Sequence, residues 1–341
     1  MDSPHQSGPV RIGVLGASSI AWRRTLPALR EVPDSTVVAV ASREKDKAER
    51  FAARFDCAAV HGYEALLERD DIDAVYVSVP NSLHHQWVHR LLMCGKHVLA
   101  EKPLTTRPAD TAALVELAAH RRLVLRENIA FVHHGLHRRV AELVGAGRIG
   151  RLRHIDAAFC FPPLPETDVR YRADLGGGAL LDAGLYPVRL AQYFLGNELT
   201  VAGAVLREDP AAGVDVAGSA VLAAATGETV TLSFGFEHSY GASYTLWGSS
   251  GRLSVDRAFT PPPTMAPLIR IDEQDHAEEI TLPAEHQFAR SAESFVKAVS
   301  RSRSSGSDPD HDAWAATALR TAELLDRIAT TAHRVVAGKQ V

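Results

Sequence analysis

Short apolar runs recur along the first 130 residues, each ending in loop-forming residues and parted from the next by an amphipathic stretch. RIGVLG at 11–16 and TVVAVAS at 36–42 flank ASSIAWRRTLPALR, which reads as a helix in spite of Pro27, so 11–42 predicts a β-α-β unit. DAVYVSVP at 73–80, KHVLAEKP at 96–103 and LVLRENIAF at 123–131 repeat the run, with helical segments at 43–55 and 82–94. Continuous apolar runs of this kind suit parallel strands covered on both faces, so the expected first half is doubly wound α/β. The pattern then changes. After a helical HHGLHRRVAELVGAG at 133–147, RLRHIDAAFCF at 151–161 and runs at 199–207, 215–224, 229–236, 243–248 and 251–256 are short, β-favouring and parted by turns such as TGE and GSSG. They predict a meandering sheet with one covered face. FTPPPTMAP at 259–267 reads as a rigid connection, SRSRSSGSDPD as a flexible loop, and 313–329 as a closing helix that packs back on the body.

Composition narrows the class of function without choosing one. Among 341 residues, 37 Lys plus Arg stand against 41 Asp plus Glu for a formal charge of -4, so no broad polyanion-binding surface is expected and nucleic acid is not an expected partner. The chain is long enough for two domains. Cys57, Cys94 and Cys160 are widely spaced with no ligand pattern around them, which fits a reducing compartment and structural thiols. The opening MDSPHQSGPV lacks the basic and apolar regions of a signal peptide, and no run reaches the roughly 18 apolar residues of a membrane span. A cytoplasmic protein without a membrane partner is expected.

The first turn carries the first chemistry. In GASSIA, Gly16 permits a tight turn, while Ser18 and Ala21 occupy the second and third glycine positions of a dinucleotide fingerprint. Gly16, Ser18, Ser19 and Ile20 are the candidate pyrophosphate contacts, at the positive end of the following helix. The second strand ends in Ser42 and Arg43, where an NAD site would have an acid for the ribose diol. A guanidinium and a hydroxyl suit a 2′-phosphate, so NADPH/NADP+ is the expected cofactor. Lys45 and Lys47 are either helpers or solvated helix charges.

Later strand ends carry Pro80, Asn81 and His84 in VPNSLH, Glu101 and Lys102 in AEKPL, and Asn128 in ENIAF, all candidate cofactor contacts at the carboxyl edge of the sheet. His84 is either such a contact or a structural histidine. Lys102 is the sharper candidate, an amine directly after an apolar strand. GGGALLDAGLYPV at 176–188 puts Asp182 and Tyr186 four residues apart behind three glycines, either as a loop and an ordinary helix or as the wall of an active site. Pro187 disfavours helical geometry at Tyr186 unless it lies in a first turn or a kink. His133, His134 and His137 do not converge as metal ligands, and no metal is expected.

The order GVLGASSIA, VPNSLH, AEKPL, GGGALLDAGLYPV resembles the glucose-fructose oxidoreductase, inositol dehydrogenase and rhizopine-catabolism oxidoreductase superfamily across almost the whole chain. Within it, IAWRRTLPAL, ERDDIDAVYV, AEKPLTT and DVRYRADLGGGALLDAGLYPVR look most like the bacterial nucleotide-sugar C-3 ketoreductases of deoxysugar and antibiotic biosynthesis. The resemblance implies an N-terminal Rossmann domain over 1–130 that binds NADP. It also implies a C-terminal α/β domain over 131–341 with a largely antiparallel open sheet, for substrate binding and homodimer or homotetramer contacts. The chain departs from polyol-oxidising relatives in having Tyr186 where they commonly have histidine, and Arg189 beyond it, which favours ketone reduction.

The implied reaction reduces C-3 of a dTDP-3,4-diketo-2,6-dideoxyhexose, leaving a dTDP-4-keto sugar. Tyr186 would give the proton and Lys102 would stabilise the developing oxyanion. Asp182 would hold a sugar hydroxyl or orient Lys102. Arg170 and Arg172 would meet the nucleotide diphosphate, and Tyr171 would stack on the base or close over the sugar. Two other functions stay open on residues alone, an NADP-linked dehydrogenase of a free sugar or polyol and a non-catalytic dinucleotide or sugar-nucleotide sensor.

Overall fold

The computed structural model describes residues 8–336. The signal-peptide expectation falls on MDSPHQSGPV, of which residues 1–7 lie outside the described residues. No described helix is long and apolar enough to cross a membrane. The chain forms two compact units, one made of residues up to Ala130 with Gln287–Ala318, the other of Phe131–His286 with the residues from Leu319.

The first unit is a six-stranded parallel sheet. Its strands are β1 (Val10–Leu15), β2 (Ser35–Ser42), β3 (Ala58–His61), β4 (Ala74–Val77), β5 (His97–Ala100) and β6 (Leu125–Glu127), in the order β3-β2-β1-β4-β5-β6. That order reverses between β1 and β4, which is where doubly wound folds hold their ligands. The helices are α1 (Leu26–Arg30), α2 (Lys45–Phe55), α3 (Glu64–Leu67), α4 (His84–Met93) and α5 (Pro108–Arg121). One face of the sheet packs Val14, Tyr76 and Leu99 with Phe51, Phe55 and the inner side of α8 (Gln287–Ser305), including Phe295, Val296 and Val299. The other packs Leu15, Val75 and Val98 with Trp87, Leu91 and Leu114 of α4 and α5.

Two expectations need correction. SRSRSS is not a loop, because α8 continues to Ser305 before GSDPD turns the chain. The helix persists where composition suggests disorder because Ser302 is buried with its hydroxyl on the Arg122 carbonyl at 3.3 Å, and Arg303 pairs with Asp73. The expected strand at 123–131 is paired only over Leu125–Glu127, after which Ala130–His133 forms a short 3-10 turn.

The second unit has α6 (Gly135–Gly145), α7 (Leu185–Leu195) and a nine-stranded sheet. Its strands are β7 (Leu152–Cys160), β8 (Leu199–Asp209), β9 (Val214–Ala224), β10 (Thr229–Gly235), β11 (Gly241–Gly248), β12 (Arg252–Val255), β13 (Leu268–Asp272), β14 (Ala277–Thr281) and β15 (His333–Val336). The order is β14-β13-β12-β11-β7-β10-β9-β8-β15, antiparallel except at β7/β10 and β8/β15. The last helix, α9 (His311–Thr331), contributes its residues up to Ala318 to the first unit and the rest to the second.

Both prolines that sit against the helical pattern follow a wide turn. Ala21–Thr25 and Leu180–Gly184 are π-helical, and each runs on into an α-helix holding Pro27 or Pro187 near its start. A proline ring collides with the carbonyl four residues back, and a π turn moves that carbonyl aside.

Candidate functional site

In the first unit the candidate residues gather at the carboxyl ends of β1, β2, β4, β5 and β6. Gly16 has φ 105°, and a Cβ on it would lie 2.5 Å from the Ser78 carbonyl oxygen, so only glycine lets the turn after β1 pass the end of β4. Ser18 closes this turn: its Oγ accepts from Ala21 N at 3.1 Å and forms a short hydrogen bond with Ser78 Oγ. Ser19 is exposed and Ile20 half-buried beside them.

At the end of β2, Ser42 is buried with its Oγ accepting from Glu44 N at 3.1 Å, while Arg43 is exposed. The Arg43 carbonyl is held by His61 Nε2 at 3.1 Å. An exposed guanidinium at the end of the second strand is a donor that fits a phosphorylated ribose. Lys45 and Lys47 pair on the surface with Glu49 at 3.8 Å and Glu44 at 3.4 Å, the solvated outcome.

Pro80 and Asn81 are half-buried after β4. His84 is fully buried, its ring nitrogens 2.7 Å from the Pro103 carbonyl and 2.9 Å from the Val79 carbonyl, and burial pushes its pKa down. It thereby ties the turn after β4 to the turn after β5. Glu101 accepts from Tyr76 OH at 2.6 Å and Asn128 Nδ2 at 2.7 Å, and Asn128 Oδ1 accepts from Ser291 of α8 at 2.9 Å. Burial raises the Glu101 pKa against those two donors. Glu101 and Asn128 thus form a clamp that fixes the backbone directly before Lys102, which is half-buried. The partners Tyr76 and Ser291 carry no motif and were not legible as site residues.

In the second unit, the helix from Leu180 to Leu195 carries Asp182 and Tyr186, both half-buried. The Tyr186 ring meets three phenyl rings, Phe159 edge-on at 4.7 Å, Phe259 at 5.6 Å and Phe131 at 5.9 Å. Such a wall limits water and leaves the phenol as the polar group of the patch. Behind Phe131 lies buried His137, with Nε2 3.0 Å from the Ala258 carbonyl and Nδ1 3.2 Å from Tyr244 OH. His134 Nδ1 instead accepts from Leu136 N at 3.0 Å, capping α6. No cluster of three metal-binding side chains occurs among the described residues.

Asp182 Oδ2 accepts from Arg170 Nε at 2.6 Å, and Arg170 also reaches Asp168 at 3.1 Å. Burial opposes charge on Arg170, but the two carboxylates hold its pKa above the ordinary value. Arg172 is exposed and paired with Asp174 at 2.7 Å. Tyr171 is half-buried, its OH accepting from Leu164 N at 3.3 Å and its ring edge-on to Phe236 at 5.9 Å.

The glycine run has a steric cause. A Cβ on Gly177 would fall 2.4 Å from the Arg170 carbonyl oxygen, and one on Gly178 would fall 2.5 Å from Asp215 Oδ1. The glycines therefore let the Arg170 loop and β9 close on the start of the helix that holds Asp182 and Tyr186.

Residues 10–129 match the model of an oxidoreductase family with an NAD-binding Rossmann fold, and residues 137–254 match the GFO/IDH/MocA C-terminal domain. The chain is 49% identical over 335 residues to dTDP-3,4-didehydro-2,6-dideoxy-alpha-D-glucose 3-reductase of Actinomadura kijaniata, covering 98% of this chain and 99% of the relative. It is 54% identical over 291 residues to the enzyme of the same name from Saccharopolyspora spinosa, covering 85% and 88%. Among solved structures, the 3-ketoreductase KijD10 of Actinomadura kijaniata, in complex with NADP and TDP-benzene, superposes with a TM-score of 0.93 at 48% identity, covering 97% of this chain and 100% of the other. The Y186F and K102A variants of KijD10, each with the same two ligands, also match, with TM-scores of 0.93 and 0.90.

Proposed function

The chain belongs to the GFO/IDH/MocA oxidoreductase family, and from that premise we propose that it is an NADPH-dependent 3-ketoreductase of a dTDP-linked 3,4-diketo-2,6-dideoxyhexose in deoxysugar biosynthesis. The observation that carries this reading is 49% identity across 98% of the chain to a 3-reductase of that substrate.

NADPH supplies the hydride that the ketone carbon gains. The turn at Gly16 to Ile20 receives its pyrophosphate, Ser42 and Arg43 its 2′-phosphate, and Pro80 and Asn81 line its nicotinamide half, with the Glu101–Asn128 clamp holding the backbone beside them. His84 acts behind them by tying two of these turns together.

Tyr186 holds the proton that the ketone oxygen gains. A phenol is a proton donor at neutral pH, and three phenyl rings pack around this one. Lys102 supplies the compensating positive charge, stabilising the oxyanion and the phenolate left after the proton has moved. The proton lost by Tyr186 is replaced from solvent. Asp182 receives a sugar hydroxyl, held in aim by Arg170. Tyr171 and Arg172 line the nucleotide end.

The assembly we propose is a homo-oligomer joined through the outer face of the nine-stranded sheet. Val205, Val221, Trp247 and Leu268 are large apolar residues exposed on its strands. Free thiols at Cys57, Cys94 and Cys160 support a cytoplasmic location.

The test is NADPH oxidation with freshly generated dTDP-3,4-diketo-2,6-dideoxyglucose, with the product mapped by NMR and with NADH and free-sugar controls. NADPH-linked reduction at C-3 is expected. A folded enzyme that binds NADPH yet leaves intact substrate unreduced overturns the assignment.

A further inference from the structure

We infer that Asp215, a carboxylate on β9 outside every motif of the chain, is a positioning residue for Tyr186 and Asp182, acting as a detached cap on their helix. The inference rests on the function proposed above for those two residues. Asp215 Oδ2 accepts from Leu180 N at 2.6 Å, and Leu180 is the first residue of the helical segment that runs through Asp182 and Tyr186 to Leu195.

The first N–H groups of a helix have no partner inside it, and the adjoining residue Ala179 offers no side-chain cap. The acceptor comes instead from 35 residues further along the chain. A carboxylate at this end also meets the positive end of the helix dipole.

Gly178 is the other side of the same contact. Its φ is 114°, and its missing Cβ leaves the space in which Asp215 Oδ1 sits. Its backbone N–H donates to the Arg170 carbonyl at 2.9 Å, so the segment anchored by Asp215 also carries the loop whose guanidinium holds Asp182. Asp215 is half-buried, with its pKa raised by burial against the bond from Leu180.

The contact matters for geometry because Leu180–Gly184 is a π turn. A wide turn is less stable than α-helix and persists where its surroundings hold it. With its first N–H released, the turn can tighten, and each side chain after it then changes its angle around the helix axis. Asp182 and Tyr186 lie in and directly after this turn.

The test compares D215N, which keeps an acceptor oxygen in place, with D215A, which removes it. D215N should stay within about threefold of wild-type kcat. D215A should lose about a hundredfold in kcat, the scale of a misplacement near 1 Å, with the Kd for NADPH unchanged. Hydrogen exchange reads the contact independently of turnover: the Leu180 amide should lose protection in D215A and keep it in D215N. Wild-type kcat in D215A, unchanged Leu180 protection in D215A, or a D215N as slow as D215A each overturns the inference.

Where D215A does not fold, D215E keeps the charge but carries the acceptor one methylene too far. It should show the same loss of kcat and protection, and wild-type behaviour in it overturns the inference. A wild-type enzyme inactive on the diketo sugar overturns the proposed function instead, while the exchange data still decide whether Asp215 caps the helix.

Discussion

Arg170 Nε and Asp182 Oδ2 meet at 2.6 Å, so the acid proposed to face the sugar is already in a charge-assisted bond. The guanidinium is shared with Asp168. An arginine engaged by two carboxylates is poorly placed to neutralise a diphosphate and well placed to aim a carboxylate. Arg170→Ala should therefore lower kcat/KM for the sugar nucleotide by about tenfold, the scale of one charge-assisted bond, and leave the KM for NADPH alone. Steady-state kinetics with each substrate varied in turn checks this. A loss confined to dTDP competition would instead mark Arg170 as a diphosphate ligand.

Lys102→Ala and Tyr186→Phe should each reduce kcat by roughly 10²- to 10⁴-fold while NADPH still binds. Single-turnover reduction with NADPH fluorescence titration separates the two quantities. Near-normal turnover in both purified variants rejects their roles.

Arg43→Ala should weaken NADPH binding by about tenfold or more and leave NADH nearly unchanged, because the lost bonds reach only the 2′-phosphate. Parallel titrations with the two cofactors measure the ratio. Equal losses for both would place Arg43 outside the phosphate site.

Acid should destabilise the fold through two buried histidines. Burial lowers the pKa of His137 to about 3 and that of His97 to about 4, from 6.5. In the unfolded chain both take up protons near pH 6.5, so the unfolded state binds more protons between the two pKa values. Stability is then fully present above about pH 6.5 and falls as pH drops toward 4, by roughly 1 kcal/mol per pH unit for each histidine. Thermal melts from pH 7 to 5 should show Tm falling, with a shallower slope in folded His137→Gln. An identical slope would remove His137 from the account.

Much of the first unit was legible in the sequence because its strands are continuous apolar runs ending in glycine, proline or a charged loop, as at VLG and LAEKP. The short β3, AAVH, escaped because only Val60 of its four residues is buried. The meander of the second unit was legible from its turns, whereas β13 and β14 were not, since their exposed Arg270 and Glu279 dilute the apolar signal. Among the candidate site residues, Lys102, Tyr186 and Asp182 are legible as polar groups in apolar stretches of sequence. The rings around Tyr186 come from positions 131, 159 and 259, and no local pattern joins them. Asp215 was silent for another reason: it acts on the backbone of a leucine, and backbone contacts leave no mark on residue type.

The first unit is written in two separated pieces of the chain, and that has a bearing on how it is made. Asn128 receives its bond from Ser291, Asp73 its second arginine from Arg303, and Arg126 its carboxylate from Asp308 at 2.6 Å. Phe295, Val296 and Val299 fill one side of the same apolar core. A gene fragment stopping at residue 130 would encode a sheet with one side covered only by α1 and α2, and with Asn128, Asp73 and Arg126 each short of one partner. On the ribosome, the nascent sheet must wait for more than half of the message to be read before it can close.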